Sequence, residues 1–186
     1  MDSIALAYWK RPSYSITIDY GQKPAKAEIH AAAQVSNFLG IKHHIVRVDC
    51  SELGSGDMNG TNPLSIAPIT EWWPYRNQLL VTLACMKGIA LGTTELLIGS
   101  VSTDISHKDG SKEFYKYLSE LVRYQEGSIN IAAPAIEIDS VDLIKKSELP
   151  TSLLFWAHSC HTSNEPCMYC NGCKKHLFTL QSLGLD

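Results

Sequence analysis

Tyr14-Ser15-Ile16-Thr17-Ile18-Asp19 is the segment from which the architecture follows. Its β-branched residues recur two apart and Gly21 breaks the run, so it reads as a strand. Downstream, Ala25 to Leu39 sets Ile29, Ala32, Ala33, Phe38 and Leu39 near one helical face, and Gly40 is the stop. His43 to Val48 (H-H-I-V-R-V) is a second strand. Two strands joined through a long helix form a βαβ unit, which implies a parallel sheet with both faces covered.

Upstream, Ser3 to Trp9 reads as a short apolar helix capped by Asp2 or Ser3 and ended by Pro12. Glu52 to Trp73 is rich in Gly, Asn and Pro and reads as a long loop, a length usually found in functional lids or disordered segments. Tyr75 to Leu91 is a helix, Glu95 to Gly99 a buried strand, Lys112 to Tyr124 a helix and Asn130 to Pro134 a short strand. Ser140 to Ser147 is a helix with Asp139 as its cap. The class is α/β, and in such sheets ligands bind beyond the carboxyl ends of the strands. That points to Asp19-Tyr20-Gly21-Gln22, to the loop after Val48, and to Gly99-Ser100-Val101-Ser102-Thr103-Asp104. The chain nevertheless opens directly into a helix, where a βαβ fold normally begins with a strand.

With 186 residues, 45% of them hydrophobic, the chain can bury a core of its own without staples. Its formal net charge of −3 excludes a general nucleic-acid binder working by bulk charge, though not a nucleotide site built from a few donors. No apolar run approaches the roughly 20 residues of a membrane span, and Met1-Asp2-Ser3 lacks the basic start of a signal peptide. A cytoplasmic protein is expected.

Four of the six cysteines, Cys160, Cys167, Cys170 and Cys173, follow the spacing C-x6-C-x2-C-x2-C. A C-x2-C pair puts two thiolates on one tight turn, which suits a tetrahedral ion with bonds of about 2.3 Å. Four thiolates close the coordination sphere, so a zinc ion here would be structural. The same run serves iron–sulfur clusters, and disulfides or free thiols are the remaining readings. His158, His161 and His176 flank the cluster and could replace one cysteine as ligand, whereas Cys50 and Cys85 read as small buried hydrophobes.

Several segments converge on a known family. Met1-Asp2-Ser3 ahead of an apolar helix resembles the end of S-G-G-x-D-S, the phosphate loop of the PP-loop ATP pyrophosphatases. Asp19-Tyr20-Gly21-Gln22, then Ala27-Glu28-Ile29, resembles the D-Y-G-Q…A-E segment of the 7-cyano-7-deazaguanine synthase (QueC) family of the queuosine pathway. Pro74-Tyr75-Arg76-Asn77 resembles its P-G-R-N, and Thr103-Asp104 followed by Lys112-Glu113-Phe114 resembles the segment after its fourth strand. The cysteine cluster completes an ordered set that covers nearly the whole chain.

The resemblance implies a parallel-sheet, adenine nucleotide alpha hydrolase-like (PP-loop, Rossmann-like) domain over residues 1–150, lacking its first strand, and a zinc-binding segment over 151–186. It implies a ligase that activates 7-carboxy-7-deazaguanine by adenylation with ATP and Mg2+, adds ammonia to give an amide, and dehydrates it to the nitrile with a second ATP. Positioning and charge neutralisation carry such chemistry, so no covalent nucleophile is needed and no catalytic residue is singled out. Asp2, Ser3, Tyr20, Gly21 and Gln22 would bind ATP; Arg76, Asn77, Asp104, Asp109 and Lys112 would bind the deazaguanine; the four cysteines would hold structural Zn2+.

Each residue also has an ordinary reading. Asp2 and Ser3 could simply cap a helix, Arg76 and Asn77 be solvated, Asp104 hold a turn, and His107-Lys108-Asp109-Gly110 be a solvated loop. Trp72 and Trp73 could stack on a base, although two neighbours cannot easily face one ligand and at least one should pack. Lys174-Lys175-His176 read as a charged helix face, or as a small basic patch for RNA or a partner.

Three departures from the family pattern stand out. The strand and Ser-Gly-Gly expected ahead of Met1 are absent, and Ser140 stands where a lysine is expected. His158-Ser159-Cys160-His161 resembles instead the QueC-like proteins of anti-phage cassettes, in which the acceptor would be a protein amine. A zinc-stabilised binding module without catalysis is a further alternative. A sheet with a central gap exposes unpaired edges, so a homodimer or poor solubility is expected.

Overall fold

Residues 1–185 are described in the computed structural model, without the side chains of Ile105 and Ser106; the final residue of the 151–186 segment lies outside the described residues. Helix α1 runs over Asp2–Lys10. Its N-cap is Met1 rather than Asp2 or Ser3, and Asp2 instead lies in the first turn, where a carboxylate suits the helix dipole. Arg11 ends it in the left-handed region at φ 48°, just before Pro12.

Strand β1 is Tyr14–Asp19, as the alternation predicts. It pairs in parallel with β2, Lys42–Arg47, in a register running from Tyr14↔Lys42 to Asp19↔Arg47. The ladder therefore begins one residue before His43 and stops short of Val48. Helix α2, Ala25–Leu39, connects them and ends on Gly40 at φ 67°. Its buried side is Ala25, Ala31, Val35 and Ser36, whereas Phe38 is 62% exposed. A polar residue can face inward because the Ser36 hydroxyl meets that of Ser15 at 2.7 Å.

The loop after β2 carries only a 3-10 turn at Ser51–Leu53 before helix α3, Arg76–Ala90. Strand β3, Glu95–Leu97, pairs in parallel with β4, Asn130–Ala132. Helix α4, Lys112–Tyr124, lies between them in the chain and is capped by Ser111, whose hydroxyl accepts the Phe114 N–H at 3.1 Å. Helix α5, Ser140–Ser147, is capped by Asp139 as expected, its carboxylate accepting the Asp142 N–H at 2.8 Å. Two further helices, α6 at Thr151–Leu154 and α7 at Asn171–Ser182, complete the chain.

The parallel sheet, expected to carry a central gap, does not run continuously. Among the described residues there are two separate two-stranded parallel sheets, β1–β2 and β3–β4. Helix α3 spans them: Leu79, Leu80, Leu83 and Ala84 share a core with Ile18 of β1 and Leu96 of β3. The start of α1 approaches the residues after β3 so closely that a Cβ on Gly99 would lie 2.9 Å from the Ser3 hydroxyl. A second core joins Ala5, Val35, Leu143, Ile144, Leu153 and Leu154, and Leu180 of α7 and Leu183 just after it pack on it. Burying each such leucine contributes about 1.5–3 kcal/mol. No described helix is long and apolar enough to cross a membrane.

Candidate functional site

The turn after β1 is braced from within. The Gln22 side chain is buried, accepts the Tyr20 N–H at 2.8 Å, and donates to the Ile18 carbonyl at 3.1 Å and to Glu28 Oε2 at 2.8 Å. Its polar atoms thus hold the strand end to the first turns of α2. Gly21 sits at φ 95° with Ser51 against it, so only glycine fits without strain. Tyr20 is buried edge-on to Trp73 at 4.9 Å, its hydroxyl reaches Met58 Sδ, and burial pushes its phenol up. Of the adjacent tryptophans, Trp73 is the one that packs.

Arg76 begins α3 and donates from Nη1 to Met58 Sδ at 2.9 Å. It forms no ion pair among the described residues, and its charge bears on Tyr20, Glu28, His107, Tyr115 and His161. An unpaired guanidinium among aromatic rings and imidazoles suits a carboxylate or phosphate. Burial, then Arg76, lowers His107; burial pushes Tyr115 up to about 12. Asn77 is committed locally: its N–H and side-chain amide bond to Asp109, at 3.3 Å to Oδ2 and 2.9 Å to the carbonyl.

Asp2 and Asp104 converge on Lys175. Its Nζ lies 3.2 Å from Asp2 Oδ2 and 3.1 Å from Asp104 Oδ1. Asp104 Oδ2 accepts the Val101 N–H at 3.1 Å, so both its oxygens are engaged, while Asp2 Oδ1 is buried without a partner. Burial disfavours the Lys175 ammonium, but the two carboxylates outweigh that and hold it above its ordinary range. Lys112 stands apart, in an exposed pair with Glu137.

The four sulfurs of Cys160, Cys167, Cys170 and Cys173 all lie within 4.8 Å of one another. Backbone N–H groups of His161, Cys170 and Cys173 point at sulfur, each at 3.4 Å. Burial pushes Cys160 up, but hydrogen bonds from Thr162 and Cys167 prevail and hold it near 5. Burial, joined by the neighbouring thiols, pushes Cys173 up to about 12. Hydrogen bonds favour the Cys160 and Cys167 thiolates, whereas burial and the neighbouring thiols oppose those of Cys170 and Cys173, so a bound cation would help all four to ionise. The donor set fits zinc. Gly172 lets the site close, since a Cβ there would collide with the Ser159 carbonyl. The four sulfurs group without a histidine: His158 and His176 are engaged with the Ser163 carbonyl and the Ser159 hydroxyl, and His161 Nδ1 lies 3.9 Å from Glu71. Cys85 is buried and burial raises its thiol, in keeping with an inert core residue.

The structure thus groups Arg76, Asn77, Asp109 and Tyr20 on one side and Asp2, Ser3 and Asp104 on the other, with Gln22 as an internal brace and Lys112 outside. Sequence reasoning missed Met58, Glu71 and the reach of Lys175. Glu71 is buried in the long loop and its carboxylate takes the Asn171 amide at 2.9 Å, with His161 at 3.9 Å. A lone glutamate beside two tryptophans gives no such signal in sequence.

A family model described as queuosine biosynthesis protein QueC matches residues 1–184. The chain is 29% identical over 181 residues to the 7-cyano-7-deazaguanine synthase of Desulforudis audaxviator, covering 86% of this chain and 81% of the relative. It is 25% identical over 218 residues to that of Pyrococcus furiosus, covering 100% and 91%. With that of Chlorobaculum parvum it shares 25% over 183 residues, covering 90% and 80%.

Proposed function

The chain belongs to the QueC family, and on that premise we propose that it is an ATP-dependent carbon–nitrogen ligase acting on a 7-deazapurine carboxylate, 7-carboxy-7-deazaguanine. The observation that carries this reading is the family match across residues 1–184, with relatives named as synthases. A carboxylate oxygen attacks the α-phosphorus of ATP and pyrophosphate leaves. Ammonia then attacks the acyl carbon and AMP leaves, giving the amide. The amide oxygen then attacks the α-phosphorus of a second ATP with loss of pyrophosphate, and departure of that oxygen as part of AMP, with release of the two nitrogen-bound protons, gives the nitrile.

The residues have roles that suit this chemistry. Ile4 and Ala5 N–H groups bond to the Met1 carbonyl, so the Asp2 and Ser3 N–H groups are not used within α1 and favour an anion there. Arg76 would neutralise substrate or phosphate charge in a setting that already excludes water on the Tyr20–Trp73 side. Asp109 holds Asn77 and the start of α3 in place. Asp104, held by Lys175 and the Val101 N–H, would face the guanine-like edge with its remaining lone pairs. Zinc bound by the four cysteines would neutralise the thiolates and cross-link the C-terminal segment.

A second reading keeps the activation and changes the acceptor to a protein amine, as in the anti-phage relatives. It is favoured by Ser140, whose buried hydroxyl has no partner where the family pattern has a lysine. Incubation with ATP, Mg2+, 7-carboxy-7-deazaguanine and ammonium, followed by mass spectrometry, tests both. The nitrile and AMP are the expected products. AMP release without a nitrile, and a mass shift on a co-expressed protein, would select the second reading. No adenylate or AMP in either case would remove the ligase.

A further inference from the structure

Lys175 has no role in the reading above, yet it is the point where three parts of the chain meet. It lies on α7, whose N-cap is Cys170 and whose first turn holds Cys173. The backbone position of Lys175 is therefore set by the cysteine loop, and its carbonyl accepts the Thr179 hydroxyl at 2.8 Å. From there its ammonium crosses to Asp2 on α1, at 3.2 Å, and to Asp104 after β3, at 3.1 Å. Asp104 is clamped between this ammonium and the Val101 N–H, which leaves its carboxylate little freedom to rotate.

Asp2 and Ser3 begin α1, next to Gly99, and Asp104 lies on the segment that continues from Gly99. The two carboxylates would repel each other without a cation between them. A lysine reaching in from a third element fixes the spacing of the first two.

We propose that Lys175 is a positioning residue for the nucleotide site, holding the start of α1 and the Asp104 segment at a set distance from the cysteine-bearing helix. The proposal rests on the ligase reading. Lys175 acts through Asp2 and Asp104 and not by contact with the reacting atoms. Removal of its charge lets the two carboxylates separate and misplaces the N–H groups of Asp2 and Ser3. Ground-state nucleotide affinity suffers first, so KM for ATP rises more than kcat falls.

The test is ATP–Mg2+ binding by calorimetry to the purified, metal-loaded protein and its Lys175→Met, Lys175→Arg and Asp104→Asn variants. Lys175→Met should weaken binding about tenfold or more, with four-cysteine metal content unchanged. Lys175→Arg, which keeps the charge, should stay within about threefold. Adding Lys175→Met to Asp104→Asn should cost less than it does alone, because part of its effect runs through the contact the two share. Unaltered affinity in Lys175→Met, or full additivity with Asp104→Asn, overturns the proposal. If Lys175→Met does not fold, Lys175→Gln is read by the same criteria. If the unsubstituted protein binds no ATP, the ligase reading fails and this proposal falls with it; if it binds ATP and the variants match it, only this proposal falls.

Discussion

The side-chain amide of Asn171 donates to both oxygens of the Glu71 carboxylate, at 2.9 and 3.3 Å, and so ties the first residue of α7 to the loop that precedes α3. A second tie runs from the Asn164 side chain, which accepts the Ala27 N–H at 2.9 Å near the start of α2. The cysteine segment is thus fastened to the loop, to α2 and, through Lys175, to α1. Each fastening is polar, and each lies close to a residue of the candidate site.

Glu71 is buried, so its loss leaves the Asn171 amide without its acceptor and opens space beside His161. Glu71→Ala should cost about 1–3 kcal/mol, and Glu71→Gln less, since one amide oxygen can still accept. Chemical denaturation of the metal-loaded protein reads both. Equal losses for Ala and Gln would mean that the negative charge, and not the hydrogen bond, matters.

Metal removal bears on the C-terminal segment. None of the six cysteines forms a disulfide, and four crowd around one point. Stripping a structural ion from such a site leaves thiols that must take up protons, and it loosens Cys170 and Cys173 at the start of α7. A strong chelator is expected to lower Tm by about 10 °C or more, with one zinc released per chain. Visible absorbance of the purified protein before chelation would indicate an iron–sulfur cluster in its place.

Two non-glycine residues hold left-handed backbone at decisive turns. Tyr75 precedes α3 at φ 55° and is 78% exposed; Met168 lies between Cys167 and Cys170 at φ 66° and is 57% exposed. Neither side chain has much packing to lose, while left-handed backbone disfavours a Cβ by about 1–2 kcal/mol. After the entropy that glycine loses on folding, Tyr75→Gly and Met168→Gly should each gain about 0.5–1 kcal/mol. Gly172→Ala should do the reverse and prevent closure of the metal site. Thermal melts with metal analysis check all three, and a loss of stability in Tyr75→Gly would show that its ring has a contact role.

Much of this was legible from local pattern. β1, α2, α4 and α5, with the Asp139 cap on the last, follow from alternation, helical spacing and capping chemistry, all encoded within a few residues. The buried face of α2 was misread because Phe38 is apolar and Ser36 is not. Only a hydroxyl at Ser15, across the strand, makes the serine the better inward residue. Of helix α7 only the charged face at Lys174-Lys175-His176 was legible; its start was not, because its cap is a cysteine thiol, which propensity does not count. The meeting of Lys175 with Asp2 depends on contacts between residues far apart in sequence. In the site, the thiols were plain from spacing, whereas Lys112 matched a family position and yet faces solvent beside Glu137.

Glu28 gives a prediction with a defined sign. It is half-buried against the Gln22 amide, and its carboxyl is raised above the usual 4.5, first by burial, with Gln22, His158 and Arg76 opposing. A raised folded-state value means that the native protein holds this proton more tightly than the unfolded chain does. Its contribution favours folding fully below about pH 4.5 and is lost as pH rises through the folded-state value. Above that window the ionised carboxylate destabilises the fold relative to a neutral side chain of the same shape. Glu28→Gln keeps an oxygen for the Gln22 amide and removes the charge. It should raise Tm at pH 7 to 8 by about 3 °C or more, with the gain vanishing below about pH 4.5. Melts of both proteins across that range decide the matter: a gain that does not change with pH would come from packing, and no gain at all would mean that His158 and Arg76 already satisfy the charge. If ATP affinity falls in the same variant, the strained carboxylate is kept for the site and not for the fold.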